Sequence, residues 1–359
     1  MTRYVSAAAL EAFVTKLLCA LGAPKHKAKL VATSLVSANL RGVDSHGVHL
    51  LPEYAKHFRN GNIRPEADGH VISESGACLL YDGEHGIGQW ISYVCCQHAV
   101  RLARQYGLGM VVARNSNHFG AAAFWGQTIS AHGMIAIVMC NASPSVPPWQ
   151  GREGRIGTNP ICVAVPSQGS GAWLLDMATT TVAMNKIRQA YANGQKTIPY
   201  GWAMDRDGVP TTSVEEAIRG WLMPLGGYKG SGLGMMVEIL CAVLSGGPMA
   251  TAVGGIYHLD RKMGTSQTFI AIDVQRFLPL DEFQRRMEHL IRVVKSAPVA
   301  KGYSEILVAG DPEARAEQLR RQSGIPIDEA TWDRLARLAQ ELGVAMLEPQ
   351  MLRNGSMSC

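Results

Sequence analysis

The chain has 359 residues, of which 47% are hydrophobic and 18% charged, a balance that allows a sizeable core and excludes intrinsic disorder. Its formal net charge of +5 contains no block of five like charges, so no nucleic-acid-binding tract is indicated. The length fits two domains better than one.

The first part of the chain is predicted to be helical. Apolar residues recur at intervals of three and four through 6–41 and predict two helices, which Gly22 and Pro24 separate. A third helix is predicted over Leu50–Arg59. The N-terminus lacks the pattern of a signal peptide and no apolar stretch is long enough to span a bilayer, so we expect a cytoplasmic protein without membrane partners.

From about Val71 the pattern changes to short β-rich runs punctuated by Gly, Asn and Pro. The predicted strands are Ala77–Tyr81, Gly109–Arg114, Met134–Asn141, Ile161–Val165, Trp173–Asp176 and Thr268–Asp273. The remaining predicted helices are Ile91–Tyr106, Ala121–His132, Leu233–Leu244, Leu280–Ser296, Pro312–Ser323 and Asp328–Leu342. These elements predict an α/β protein of the α+β type. We expect a mixed-sheet domain over 71–311, a helical domain built from 1–70 and 312–345, and a tail over 346–359.

The eight cysteines do not indicate a disulfide framework. Most of them lie inside apolar runs, where buried free thiols are the simpler interpretation. No C-x-x-C pair is present, and Cys95 and Cys96, although close to His98, point in different directions on either a helix or a strand. We therefore expect no metal site.

Several common catalytic and nucleotide-binding motifs are absent. No strand is followed by G-x-G-x-x-G with an acidic residue about twenty positions later, which disfavours a Rossmann domain. The chain also lacks a Walker A motif, a G-x-S-x-G elbow and an H-E-x-x-H motif.

The first candidate site is the turn Asp44-Ser45-His46-Gly47, just ahead of a predicted helix. Histidine titrates near neutrality, and reduction of a carbonyl requires a proton at oxygen while hydride reaches carbon. Ser45 could hydrogen-bond the same oxygen or the imidazole. The alternative is that His46 caps the helix that begins near Leu50.

A second candidate, Asn117-His118-Phe119-Gly120, follows the apolar run Met110–Ala113 at the point where a strand ends. Loops at strand ends often carry the functional groups of α/β proteins. The alternative is a loop histidine whose hydrogen bonds are satisfied within the protein.

Three further segments combine glycine, hydroxyl and charged residues. Gly157-Thr158-Asn159-Pro160 predicts an unusual turn before a strand, and Asp176-Met177-Ala178-Thr179-Thr180 follows a strand. Lys229-Gly230-Ser231-Gly232 precedes an apolar helix, whose first N–H groups would suit a pyrophosphate. Each segment has a simpler alternative: a turn, a helix cap provided by Asp176, or a flexible helix entry with a solvated lysine.

Taken together, these five motifs occur in the order of one family. The chain resembles the type-2 malate/L-lactate dehydrogenase family over nearly its whole length. That family also contains ureidoglycolate and sulfolactate dehydrogenases, diketogulonate reductase and reductases of piperideine-2-carboxylate and pyrroline-2-carboxylate.

The resemblance implies a homodimeric, non-Rossmann enzyme that transfers a hydride between NAD or NADP and a small 2-oxo or 2-hydroxy acid. It implies that His46 is the proton donor or acceptor, with Ser45 assisting, and that His118 has an acid/base role. The implied cofactor-binding residues are Trp173, Leu174, Leu175, Asp176, Met177, Ala178, Thr179, Tyr228, Lys229, Gly230, Gly310, Asp311 and Pro312. Asn117, Thr158 and Asn159 are further candidates for substrate contacts.

The sequence also departs from the family pattern. Many members have arginine, placed near the substrate carboxylate, where this chain has Leu50. A leucine cannot replace a bidentate guanidinium, so either another base such as Arg41 substitutes for it or the substrate differs. Lys186 stands where certain imino-acid reductases have aspartate, which argues against direct transfer of their catalytic pair. Reduction of a cyclic imine carboxylate, or dinucleotide binding without catalysis, remain alternatives.

Overall fold

The structure is a computed structural model that describes residues 2–167 and 173–349, apart from the side chain of Ala192. Residues 350–359, including Cys359 and most of the predicted tail, lie outside the described residues. The helices are α1 (Ala7–Ala20), α2 (Lys25–Leu40), α3 (Leu51–Arg59), α4 (Gly88–Tyr106), α5 (Ala122–Ser130), α6 (Met184–Ala192), α7 (Val214–Arg219), α8 (Tyr228–Glu238), α9 (Leu280–Lys295), α10 (Asp311–Ser323) and α11 (Glu329–Glu341). The strands are β1 (Arg3–Val5), β2 (His70–Ser75), β3 (Cys78–Asp82), β4 (Leu108–Ser116), β5 (Met134–Cys140), β6 (Ile161–Ala164), β7 (Leu174–Met177), β8 (Ala203–Met204), β9 (Pro210–Thr211), β10 (Trp221–Leu222), β11 (Thr265–Asp273) and β12 (Ile325–Ile327).

Seven strands form one mixed sheet in the order β2-β3-β4-β11-β5-β6-β7. Only β3 and β4 run parallel, and the other neighbours are antiparallel. The apolar faces of α4 and α5 pack on this sheet, around buried side chains such as Trp125 and Phe269. The β-rich runs of the sequence predicted six of these strands but not β2, and the mixed α/β class is confirmed.

A second core joins the two ends of the chain. Side chains from α1, α2, α3 and α11 share one apolar cluster, which also contains Leu50. Strand β1 pairs with β12 in antiparallel fashion, so the N-terminal residues are tied to the C-terminal part. Both strands escaped the sequence analysis because three residues are too few to show a period.

Two other features differ from the predictions. The small sheet of β8, β9 and β10, with α6 and α7 around a third core, was not predicted. The helix expected over Leu233–Leu244 begins earlier, at Tyr228, and changes to a π-helix over Ile239–Val243. The sequence prediction missed its first turn because the glycines there resemble a loop.

The cysteines are free thiols in the part of the chain that the structure describes. Five of them are buried: Cys95, Cys96, Cys140, Cys162 and Cys241. Cys19 and Cys78 are exposed. Within residues 2–167 and 173–349 there is no cluster of metal-binding side chains, and no described helix is long and apolar enough to cross a membrane.

Candidate active site

His46 lies in one turn of 3-10 helix, Asp44–His46, which follows α2. Asn39 braces this turn from the protein interior: its amide donates to Asp44 Oδ1 over 2.6 Å, and its carbonyl oxygen accepts from the backbone N–H of Val48 over 2.9 Å. Position 47 requires glycine, since a Cβ there would lie 2.2 Å from Asn39 Oδ1. The suggestion that His46 caps the next helix is wrong, because α3 begins without a side-chain cap.

The same turn is tied to the C-terminal part of the chain. The guanidinium of Arg320, on α10, donates to Asp44 Oδ1 over 2.7 Å and to Asp44 Oδ2 over 2.9 Å. Arg320 also donates to the backbone carbonyl of Asn39. A bidentate pair constrains orientation as well as distance, so α10 and the His46 turn hold each other in place.

The local environment keeps His46 neutral at pH 7. Burial, and to a lesser degree the charge of His49, lowers the pKa of His46 to about 4. Ser45 Oγ lies 3.0 Å from His46 Nδ1 and can hydrogen-bond it. Both residues remain partly accessible to solvent, so the imidazole is available as a proton acceptor.

His118 faces His46 across the site. It lies in the loop between β4 and α5, and its ring is nearly parallel to that of His46, with 5.7 Å between centroids and 15° between planes. Burial is the main reason that the pKa of His118 falls to about 3, and His46 and His49 lower it further. The structure thus brings together the two histidines that the sequence placed in separate motifs.

Asn117, the neighbour of His118 in the sequence, points into the protein and anchors the loop. Asn117 is fully buried, and its amide donates to the backbone carbonyls of His85 and Gly86 over 2.9 and 2.7 Å. Gln267 donates to the backbone carbonyl of Asn117 over 3.0 Å. These contacts anchor the loop that carries His118.

Leu50 does not line the site. Its side chain is 3% exposed and belongs to the core of the helical part. The adjacent His49 has both ring nitrogens buried without a hydrogen-bond partner. Arg41, the substitute suggested by the sequence, is also buried and forms an ion pair with Glu317, at 3.5 Å.

The segments predicted to bind a cofactor converge at the β7 edge of the sheet. The backbone N–H of Leu174 donates to the backbone carbonyl of Ala309, and this hydrogen bond places the segment around Gly310 beside β7. At the other end of this strand, Thr179 receives a backbone hydrogen bond from Leu225, just ahead of α8. A Cβ at Gly230 would lie 2.3 Å from the backbone nitrogen of Leu225, so glycine permits this close approach.

The individual candidates in these segments differ in exposure. Tyr228 and Lys229 are exposed in the first turn of α8. Asp311 is half-buried: burial raises the pKa of its carboxyl, but hydrogen bonds from Lys295 and the Val308 N–H outweigh burial and lower it. Pro312 follows in the first turn of α10 and is exposed. Trp173, Leu175, Met177 and Ala178 are half-buried.

Asp176 has one defined contact. Its Oδ2 accepts the backbone N–H of Ala123, in the first turn of α5, over 2.8 Å. The residue has surface exposed to solvent, yet desolvation of its carboxyl raises the pKa of Asp176 to about 6, against the opposing effects of the Ala123 N–H and Arg41. The capping role suggested for Asp176 therefore exists, but for α5 and not for the following helix.

The turn at Gly157–Pro160 is held in place by hydrogen bonds to α8 and to Thr179. Asn159 is fully buried and has φ of 35°; its amide donates to Gly234 O and to Glu238 Oε1 over 2.9 and 3.1 Å. The backbone carbonyl of Thr158 accepts two hydrogen bonds from Thr179. This turn therefore supports the same strand end at which the cofactor candidates meet.

The family model for malate/L-lactate dehydrogenase matches residues 5–336. The chain belongs to the malate/L-lactate dehydrogenase family. It is 37% identical to a malate dehydrogenase of Pyrococcus horikoshii over 343 residues, covering 93% of this chain and 94% of that protein. It is 36% identical to an L-sulfolactate dehydrogenase of Methanocaldococcus jannaschii over 323 residues, covering 90% and 92%.

Solved structures extend the family relationship to the fold. The malate dehydrogenase structure from Pyrococcus horikoshii has a TM-score of 0.89 at 35% identity, covering 96% of this chain and 97% of the other. The structure of delta1-piperideine-2-carboxylate reductase from Pseudomonas syringae pvar. tomato has a TM-score of 0.83 at 28% identity, with coverage of 94% and 100%. The chain therefore shares its fold with a malate dehydrogenase and with a piperideine-2-carboxylate reductase.

In this member of the malate/L-lactate dehydrogenase family, the sequence analysis missed several residues around the two histidines. Asn39 and Arg320 hold the His46 turn, while Tyr54 and Gln89 contact His118 or each other. Arg320 and Gln89 lie on helices whose polar residues read as ordinary surface positions. Asn39 and Tyr54 lie seven and eight residues from His46, so only their closeness to the His46 turn in the sequence could have suggested them.

Proposed function

We propose that this protein is an NAD(P)-dependent oxidoreductase that transfers a hydride between nicotinamide and C2 of a small 2-oxo or 2-hydroxy acid. The observation that carries the proposal is the pair of neutral, parallel imidazoles of His46 and His118 in the candidate active site. In the oxidative direction, neutral His46 accepts the proton of the C2 hydroxyl, while Ser45 orients the ring or the substrate oxygen. In reduction the same ring returns the proton, and an anionic substrate favours this by raising the pKa of His46.

The chemistry of the donor set fits a nicotinamide dinucleotide. At the start of α8 the N–H of Gly230 already donates to the backbone carbonyl of Leu225 over 2.7 Å, so the groups that we propose for a pyrophosphate are the N–H groups of Tyr228 and Lys229 and the positive charge of Lys229. We assign the remaining contacts to Trp173–Thr179, Tyr228, Gly230 and Gly310–Pro312. The cofactor supplies or accepts the hydride when it is bound, and the protein positions it and excludes water. This mode of binding would not use a Rossmann domain.

We also propose a division into a helical domain, from 1–70 and 312–345, and a sheet domain over 71–311, and that the protein acts as a homodimer. The exposed apolar side chains of α8 and the π-helix after it favour self-association. Met235, Ile239, Val243 and Leu244 have exposed fractions of 61%, 49%, 55% and 55%. An apolar face of this kind is unusual on a monomer. Analytical ultracentrifugation at micromolar protein concentration tests the homodimer, and a monomeric sedimentation coefficient would contradict it.

The decisive experiment compares His46→Ala with His132→Ala, an exposed histidine that contacts Arg104. Loss of a general acid–base should lower kcat by at least about a hundredfold in His46→Ala. NADH or NADPH binding, measured by quenching of protein fluorescence, should stay close to that of the unmodified enzyme. Near-normal turnover in His46→Ala would contradict the assignment.

The substrate panel for this assay should include 2-oxo acids and cyclic imines. Pyruvate, oxaloacetate and sulfopyruvate test the first class, ureidoglycolate tests oxidation with NAD and NADP, and piperideine-2-carboxylate and pyrroline-2-carboxylate test the second. Because Leu50 is buried in the helical core, the position occupied by arginine in many members cannot supply a carboxylate clamp here. A substrate preference unlike that of arginine-containing relatives is therefore expected.

The cyclic imine alternative is favoured by one observation, the similarity to delta1-piperideine-2-carboxylate reductase. In the reduction of a cyclic imine the proton would go to nitrogen instead of oxygen. The ratio of the turnover rate with an imine to that with a 2-oxo acid distinguishes the two functions. If nucleotide binds but no substrate of either class turns over, a non-catalytic dinucleotide-binding module becomes the better interpretation.

A further inference from the structure

We infer that Gln89 and Tyr54 hold His118 as a neutral imidazole with its proton on Nε2, so that His118 serves as a fixed hydrogen-bond donor to the substrate. His46 is then the group that exchanges the proton. The catalytic half of this inference rests on the function proposed above, whereas the tautomer of His118 is a property of the protein alone.

The direction of each hydrogen bond follows from the atoms involved. Gln89 Nε2 lies 3.1 Å from Tyr54 Oη and can only donate to it. The single hydroxyl proton of Tyr54 is therefore free to point at His118 Nδ1, 2.7 Å away. The backbone N–H of Gly120 also points at this nitrogen, over 3.3 Å. Two donors converge on Nδ1, which must accept, and the proton of the neutral ring resides on Nε2.

The opposite tautomer is disfavoured by the same contacts. A proton on Nδ1 would face the Gly120 N–H, and Tyr54 would then have to accept from both His118 and Gln89 while its own proton lacked a partner. Tyr54 and Gln89 are each 2% exposed, so solvent does not provide that partner. An unsatisfied buried donor is costly, which selects one arrangement.

The groups that face His118 also oppose a positive charge on it. His46 and His49 lower the pKa of His118, and burial lowers it more. Tyr54 is no source of negative charge, because burial raises the pKa of its hydroxyl. No carboxylate is among the groups that shift the pKa of His118.

This arrangement separates the roles of two otherwise similar rings. Nδ1 of His118 is occupied by two donors, whereas Nδ1 of His46 has only the rotatable hydroxyl of Ser45, which can donate or accept. His46 can therefore change protonation without breaking a buried network. A neutral histidine that donates a hydrogen bond can polarise a carbonyl without transferring its proton.

The test is nitrogen NMR of the apo protein labelled with 15N-histidine, in which His118→Gln identifies the His118 signals. The unmodified protein should show a protonated Nε2 and an acceptor Nδ1 on His118, unchanged between pH 8 and pH 5.5. Two variants change the hydrogen bonds that link Gln89, Tyr54 and His118. Tyr54→Phe removes its hydroxyl, and Gln89→Glu replaces the donor to Tyr54 with an acceptor of nearly the same shape. Both should shift the His118 nitrogens and raise its pKa, whereas Tyr93→Phe, a half-buried tyrosine of α4, should not.

Kinetics supply the second measurement. Tyr54→Phe and Gln89→Glu should lower kcat by about tenfold, a scale typical of lost partners that orient a functional histidine, with NADH affinity unchanged. An Nδ1-protonated or charged His118 at pH 7 in the unmodified protein would overturn the inference, as would unchanged His118 signals in both variants. Failure to bind any nicotinamide nucleotide, alongside the expected spectra, would instead contradict the proposed function and leave the tautomer assignment standing.

Discussion

Replacing Gly47 with alanine should both destabilise the protein and impair its activity. The new Cβ would lie 2.2 Å from Asn39 Oδ1 and 2.5 Å from Asn39 Nδ2, closer than atoms can approach. Asn39 is 3% exposed and packed inside the protein, so its amide can yield only by giving up its hydrogen bonds to Val48 and Asp44. Each bond contributes about 1 kcal/mol, and the buried groups left without partners add to the loss, giving about 2–4 kcal/mol in the free energy of unfolding.

Guanidinium-induced unfolding followed by circular dichroism measures this change. Gly232→Ala is the control for stability, because a Cβ at that position in α8 meets no atom within 4 Å and alanine favours a helix. Turnover of Gly47→Ala should fall by at least about tenfold, since a displacement of about 1 Å in the His46 turn is enough for such losses. An unfolding midpoint equal to that of the unmodified protein would refute the account of the turn.

Two further predictions concern the electrostatics of the site. In a double-mutant cycle, Asp44→Asn and Arg320→Gln should show a coupling of about 1 kcal/mol in the free energy of unfolding, which is modest because Asp44 is 49% exposed. Both variants should lower kcat more than they lower the affinity for NADH. Fully additive effects of the two substitutions on the free energy of unfolding would contradict a direct ion pair. The folded-state pKa values of His46 and His118 are about 4 and about 3, below the 6.5 of an unfolded histidine, so their contribution to stability is fully present above pH 6.5 and is lost as the pH falls from 6.5 toward 4 for His46 and toward 3 for His118. His118→Gln should weaken that dependence in denaturant titrations at pH 7.5 and pH 5, whereas equal slopes in the two proteins would argue against a buried neutral ring.

The local chemistry of the sequence predicted most of the elements. The two N-terminal helices, α4, and the strands β3 to β7 followed from periodicity and from glycine and proline breaks. The D-S-H-G turn followed from its own residues. The start of α8 and the small sheet of β8, β9 and β10 did not, because glycine-rich entries and two-residue strands contain too little pattern to distinguish them from loops.

The sequence alone determined which residue types were available for chemistry: a histidine in a tight turn, another at the end of a strand, and glycines where backbones meet closely. Only the tertiary structure decided that His46 and His118 face each other, that Arg320 forms an ion pair with Asp44, and that Leu50 belongs to a core and not to the candidate active site. The physical reason is the range of the interactions. Turns and periodic faces depend on neighbours a few residues away, whereas these contacts join distant segments that meet only when the cores of the helical part and of the sheet form together.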